Sequence, residues 1–143
     1  MNDLSLTTLD GGMAMLSAPV LDAFAASLRG DVLNAGDPGY AEARAIWNAM
    51  IDRRPGLIVR CAGAGDVIAA INFARENNLL VAVRGGGHNI AGNAVCDGGL
   101  MIDLTRMKSV RVDRVARRAW VEPGAILADV DKETQAFGLV VPT

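Results

Sequence analysis

The chain holds 143 residues, with 14 basic and 16 acidic side chains, a formal net charge of −2 and a pI near 5.3. A chain of this length buries a real core, and 51% apolar against 21% charged residues excludes intrinsic disorder. The acidic balance and the 4% aromatic content argue against a nucleic-acid partner, which needs surplus positive charge and stacking platforms.

Two cysteines, Cys61 and Cys96, are too few and too far apart for a disulfide framework or a zinc site, and read as reduced structural thiols. No apolar run reaches the ~18 residues of a membrane helix, so no membrane partner is expected. Met1-Asn2-Asp3-Leu4 carries an acid where a secretory signal needs basic residues, which makes the cytoplasm the expected compartment.

Residues 1–16 show no sustained period and read as a loose lead-in. Ser17 with Pro19 opens a helix, with Val20, Leu21, Phe24 and Leu28 on one face and Gly30 placed to end it. Gly36, Pro38 and Gly39 mark a loop, and a second helix is expected over Ala41–Ile51 with Ile46, Trp47 and Met50 inward. Leu57-Ile58-Val59 reads as a buried strand, then Asp66 as the cap of a helix carrying Val67, Ile68, Ile71 and Phe73, then Leu79–Val83 as a second strand. Strand, helix and strand over about thirty residues form a βαβ unit with parallel strands. Beyond Arg84 come six glycines between positions 85 and 99, then Leu100–Ile102, Ser109–Val112 and Ala119–Val121 as short antiparallel strands, and a helix over Ala125–Phe137 stopped by Gly138. The expected fold class is α+β, divided into a helical lead-in over 1–54 and a second unit over 55–143. The chain ends at Val140-Val141-Pro142-Thr143, directly after an apolar strand-like run, which reads as truncation.

The segment Arg84-Gly85-Gly86-Gly87-His88-Asn89-Ile90-Ala91-Gly92 is the main signal for chemistry. Consecutive glycines let backbone N–H groups crowd around phosphate oxygens, at the end of a parallel strand where open α/β sheets hold ligands; the plain alternative is a flexible turn. Gly63-x-Gly65 is not a dinucleotide fingerprint, because Ile68 occupies the third glycine's place and Arg84 stands where an acidic residue should hold the ribose. His88 is the single histidine and cannot anchor a metal site by itself. A lone histidine is most often structural; here a general base or a covalent attachment point fits better than a metal ligand. Arg84 could meet a phosphate or pair with Asp103, and Gly124 could admit a ligand or simply turn the chain. The basic residues between Arg106 and Arg118 read as a solvated hairpin face, and Trp47 and Trp120 as core or rim packing.

Arg84-Gly-Gly-Gly-His88-Asn-x-x-Gly92 followed by Cys96-Asp-Gly-Gly-Leu-Met-Ile-Asp-Leu104 resembles the flavin loop of FAD-linked oxidases of the vanillyl-alcohol oxidase/PCMH-type superfamily. The branch is that of berberine bridge enzyme-like proteins and 6-hydroxynicotine oxidase. The likeness extends upstream through Tyr40–Asn48 and Arg54-Pro55, and downstream through Glu122–Ala125 to Gly138–Thr143. It implies the N-terminal part of a PCMH-type FAD-binding domain, in which Arg84, Gly85, Gly86, Gly87, Asn89 and Gly92 wrap the FAD pyrophosphate. It further implies that His88 bonds covalently to the isoalloxazine 8α-methyl, that Val121 and Gly124 line the cofactor, and that Pro142 and Thr143 lead to further flavin contacts. A small organic substrate and molecular oxygen are the implied partners, with redox chemistry belonging to the flavin. Cys61 and Cys96 do not match the cysteine that some members bond to the flavin. The alternative is a nucleotide- or phosphate-binding module, or a fragment, without turnover.

Overall fold

The computed structural model describes residues 1–142. Its centre is a four-stranded sheet in the order β3 (Asp31–Leu33), β4 (Leu57–Arg60), β6 (Leu100–Asp103), β5 (Val81–Arg84). Strands β4 and β5 both run parallel to β6, and β3 is antiparallel to β4. The expected βαβ unit is present, with α3 (Ala64–Glu76) between its strands, but β6 lies between β4 and β5.

Leu100–Ile102 therefore does not join the antiparallel strands expected of it; it fills the middle of the parallel sheet. The reason is burial on both faces. Leu57, Val59, Leu100 and Ile102 belong to one core cluster, while Ile58 and Met101 point into another. A strand covered on both sides reads as an unbroken apolar run, and the alternation that marks a half-exposed strand is lost.

The first cluster is closed by α1 (Ala18–Ala26) and α3, whose Phe24 and Phe73 rings stack at 3.9 Å and 8°. Ser17 opens α1 in an extended conformation, but its side chain makes no cap bond; Asp3 accepts from the Ala18 N–H at 2.7 Å instead. Leu21 and Phe24 face inward as expected, whereas Val20 is exposed. Gly30 does not end the helix. It lies before β3, where a Cβ would sit 2.0 Å from the Arg60 carbonyl oxygen.

Residues 1–16 are not loose. They form a hairpin of β1 (Leu4–Thr7) and β2 (Met13–Leu16), turned by Gly11 at φ +84° and seated by the inward side chains of Leu6 and Leu16. The second expected helix is cut to α2 (Tyr40–Arg44), and Trp47 and Met50, assigned to its buried side, are 77% and 92% exposed. Asp66 does not cap α3 either. Buried in its first turn, it accepts N–H bonds from Arg29, Gly30 and Ala62 and so ties the approach to β3 to the end of β4.

The remaining elements are the antiparallel hairpin β7 (Val110–Asp113) and β8 (Arg118–Val121), and α4 (Leu127–Gln135). Gly138, at φ +67°, stops α4 as the sequence suggests: its N–H and that of Leu139 return to the carbonyls of Gln135 and Thr134. Arg111 lies over the Trp120 ring at 4.4 Å on the hairpin's exposed face. No helix among the described residues is long and apolar enough to cross a membrane.

Candidate functional site

The glycine-rich loop leaves the sheet at the C-terminal end of β5, where Arg60, Asp103 and Arg84 share one register across β4, β6 and β5. Asp103 is buried and accepts from the Thr105 N–H at 3.0 Å, while Arg60 pairs with Asp31. Arg84 forms no ion pair among the described residues, so the expected partnership with Asp103 is not made. Its Nη1 donates to the Ala43 carbonyl of α2, and its buried Nε, lying under Gly87, has no partner. Arg84 thereby ties the root of the loop to α2.

From Gly85 through Ala91, seven consecutive N–H groups donate to no other group among the described residues. Gly87 and Gly92 take positive φ values of +72° and +77°, a backbone conformation that glycine adopts without strain. The loop is held from outside. Trp47 N–H donates to the Gly87 carbonyl at 3.1 Å, Asn48 Nδ2 to the Ile90 carbonyl at 3.1 Å, and Arg53 Nη1 to the carbonyls of Gly92 and Val95. Ile51 packs so tightly on Gly92 that a Cβ there would meet it at 2.9 Å. The carbonyls of Gly87, Asn89, Ile90 and Gly92 are thus occupied while the seven N–H groups stay free. Within the loop, Asn89 caps its own turn, its Oδ1 accepting from the Asn93 N–H at 3.0 Å.

His88 is exposed, with its ring folded back on the loop: a Cβ on Gly86 would lie 2.8 Å from His88 Cδ2 and 3.3 Å from Nε2. The indole of Trp47 sits against the same imidazole, centroids 5.1 Å apart. The strap Ile46–Asn48 was legible only as part of the family likeness; helical periodicity assigned its tryptophan to the core.

The turn after β8 comes to the loop as well. A Cβ on Gly85 would stand 2.6 Å from the Pro123 carbonyl oxygen, which places the Val121–Gly124 turn beside the first glycine. Val121 is exposed there. Gly124 is buried against the Leu104–Met107 backbone, its absent Cβ 2.1 Å from the Leu104 carbonyl oxygen, so packing alone requires a glycine. Pro142 is exposed in the segment after α4, whose Gly138–Val141 stretch shares a cleft with β7 and β8. Thr143 lies outside the described residues. Cys61 and Cys96 are free, buried thiols.

A family model described as an FAD binding domain matches residues 55–143. (R)-6-hydroxynicotine oxidase of Paenarthrobacter nicotinovorans is 40% identical over 117 residues, covering 82% of this chain and 26% of its own length. Berberine bridge enzyme-like 8 of Arabidopsis thaliana is 34% identical over 88 residues, covering 59% of this chain and 17% of its own. The crystal structure of 6-hydroxy-D-nicotine oxidase from Arthrobacter nicotinovorans superposes with a TM-score of 0.74 at 40% identity, over 78% of this chain and 25% of that one. This chain thus spans about a quarter or less of the proteins it matches. With its α+β architecture matching the PCMH-type FAD oxidase fold, the chain belongs to the FAD binding domain family, among whose members it is related to 6-hydroxynicotine oxidase and berberine bridge enzyme-like proteins.

Proposed function

We propose that this chain binds FAD within a flavin-dependent oxidase acting on a small organic substrate, with molecular oxygen as acceptor and the flavin joined covalently to His88. One observation carries the reading: seven consecutive N–H groups without a partner among the described residues lie in the loop that holds an exposed imidazole. A pyrophosphate needs many donors at short range, and N–H groups held by the fold provide them without reorganisation. In this reading Gly85, Gly86, Gly87, His88, Asn89 and Gly92 form the cradle, and Arg84 fixes its root. The turn from Val121 to Gly124 gives one wall, and Pro142 stands in the segment after α4. The boundary near residue 55 belongs to this reading too, residues 1–54 serving as the lead-in that supplies the strap over the loop.

When bound, FAD supplies the electron-accepting chemistry. Attachment joins a His88 ring nitrogen to the isoalloxazine 8α carbon. Each partner releases one hydrogen as a proton, and the electron pair passes to the flavin and on to oxygen. Two free, buried thiols accord with the cytoplasm as the compartment.

The test is to incubate the purified chain with FAD and record its intact mass and its visible spectrum after denaturation. An FAD-sized mass increase mapping to His88, with colour that survives denaturation, is the expected result. His88→Ala loses that attachment but still binds FAD reversibly through the loop. Flavin that resists denaturation in His88→Ala would overturn the covalent reading, and failure of the wild-type chain to bind FAD at all would overturn the cradle. Because relatives are about four times longer, the 143 residues by themselves should act as a binding module without turnover. Oxidase activity from this chain alone would contradict that.

A further inference from the structure

Trp47 stands apart from the other exposed apolar residues because it is tied to the loop twice. Its own N–H bonds the carbonyl of Gly87, the residue before His88, and its indole rests on the His88 imidazole. The neighbouring Asn48 bonds the carbonyl of Ile90, two residues after His88, and Ile46 packs beneath Gly87. The strap therefore grips the loop on either side of the histidine and sets its indole against that ring at a 43° tilt. Without such a contact, a histidine following three glycines on the surface would sample many rotamers, and each lost rotamer costs entropy when the ring is used.

We infer that Trp47 is a positioning residue for His88, holding the imidazole folded over Gly86 with its Nε2 edge at the cradle before any cofactor arrives. This rests on the reading of His88 as the flavin attachment point. Trp47 touches the imidazole, whereas nothing in the reading asks it to touch the reacting atoms. An exposed aromatic contact to an imidazole biases the docked rotamer by about two- to fivefold, which sets the size of the expected effect. The contact is separable from folding, since the indole is 77% exposed and the Trp47 N–H bond to Gly87 survives any replacement except proline.

His88 is the only histidine, so its two carbon-bound ring protons give unique resonances in the chain as it stands. In the flavin-free protein, Trp47→Leu should move those resonances out of the indole ring current, and Trp47→Phe should keep most of the displacement. With FAD added, Trp47→Leu should form denaturation-resistant flavin about two- to fivefold more slowly than wild type, and Trp47→Phe should restore the rate. Unmoved resonances in Trp47→Leu overturn the proposal, and so does an unchanged loading rate when wild type loads. If wild type forms no covalent flavin, the attachment reading fails instead, and the resonances alone decide whether Trp47 orders His88.

Discussion

The α-carbon of Gly85 and the carbonyl of Pro123 stand so close that no side chain fits between them: a Cβ would come within 2.6 Å of that oxygen. The contact joins the loop after β5 to the turn after β8, two segments from different sheets. Gly85→Ala should push these apart and weaken FAD binding with modest loss of stability. Equilibrium titration with FAD, set beside urea unfolding of the same variant, separates the two effects; unchanged affinity would show that the contact does not shape the cradle.

Gly124 makes the opposite prediction. Its absent Cβ faces three backbone atoms of the Leu104–Met107 segment, the nearest at 2.1 Å, and backbone cannot yield as a side-chain tip can. Gly124→Ala should cost about 1–3 kcal/mol, typical of overpacking in a tight interior. Chemical denaturation measures it directly, and a loss below a few tenths would mean that the turn relaxes freely.

Asp66 links stability to pH. Burial acts to raise its carboxyl, but N–H bonds from Arg29, Ala62 and Gly30, together with the Arg29 charge, outweigh it and hold the group below the usual carboxylate range. A carboxylate depressed on folding stabilises the protein above its unfolded value of about 3.9, and that contribution is lost as pH falls through the lower folded value. Asp66→Asn keeps the shape but cannot satisfy three donors as a charged carboxylate does. We expect it to cost about 1.5–3 kcal/mol at neutral pH and to flatten the acid limb of the stability curve below pH ~4. An acid limb as steep as that of wild type would assign the pH dependence to other carboxylates.

The two thiols should be inert. Burial above all, with the charges of Asp66 and Asp103 behind it, pushes Cys61 up to about 11. Burial likewise leads the rise of Cys96 to about 11. At pH 8 the folded chain should take up no iodoacetamide, and the urea-unfolded chain should take up two equivalents, counted by mass. Folding favours the protonated thiols, so stability present below the unfolded value of about 8.5 is lost as pH climbs towards the folded values. Rapid labelling of the native chain would overturn this.

The central sheet was largely legible because its elements carry strong local signals. Leu57–Val59 and Leu79–Val83 bracket a helical pattern, and glycines punctuate the stretch beyond Arg84. The features that escaped depend on partners distant in sequence. Leu4–Thr7 alternates weakly and becomes a strand only by pairing with Met13–Leu16 and seating Leu6. Leu100–Ile102 gives no hint in its own residues of which strand it joins. In the site, the glycines and His88 stand out in the sequence, whereas the strap of Ile46–Asn48 does not. Its inward look on a helical wheel fails because the helix ends at Arg44, and the tryptophan then faces the loop in place of the core.

The insertion of β6 between β4 and β5 has a consequence for how the chain assembles. Residues 85–99 are the connection through which the middle strand of the sheet is delivered, so β4 and β5 have no neighbour in common until that connection closes. Bringing its ends together carries an entropic cost that falls on the rate of folding. The glycines that leave N–H groups open to a ligand are thus also the joint on which the sheet shuts. Substitutions that stiffen this segment should slow refolding even where they leave the native state unharmed.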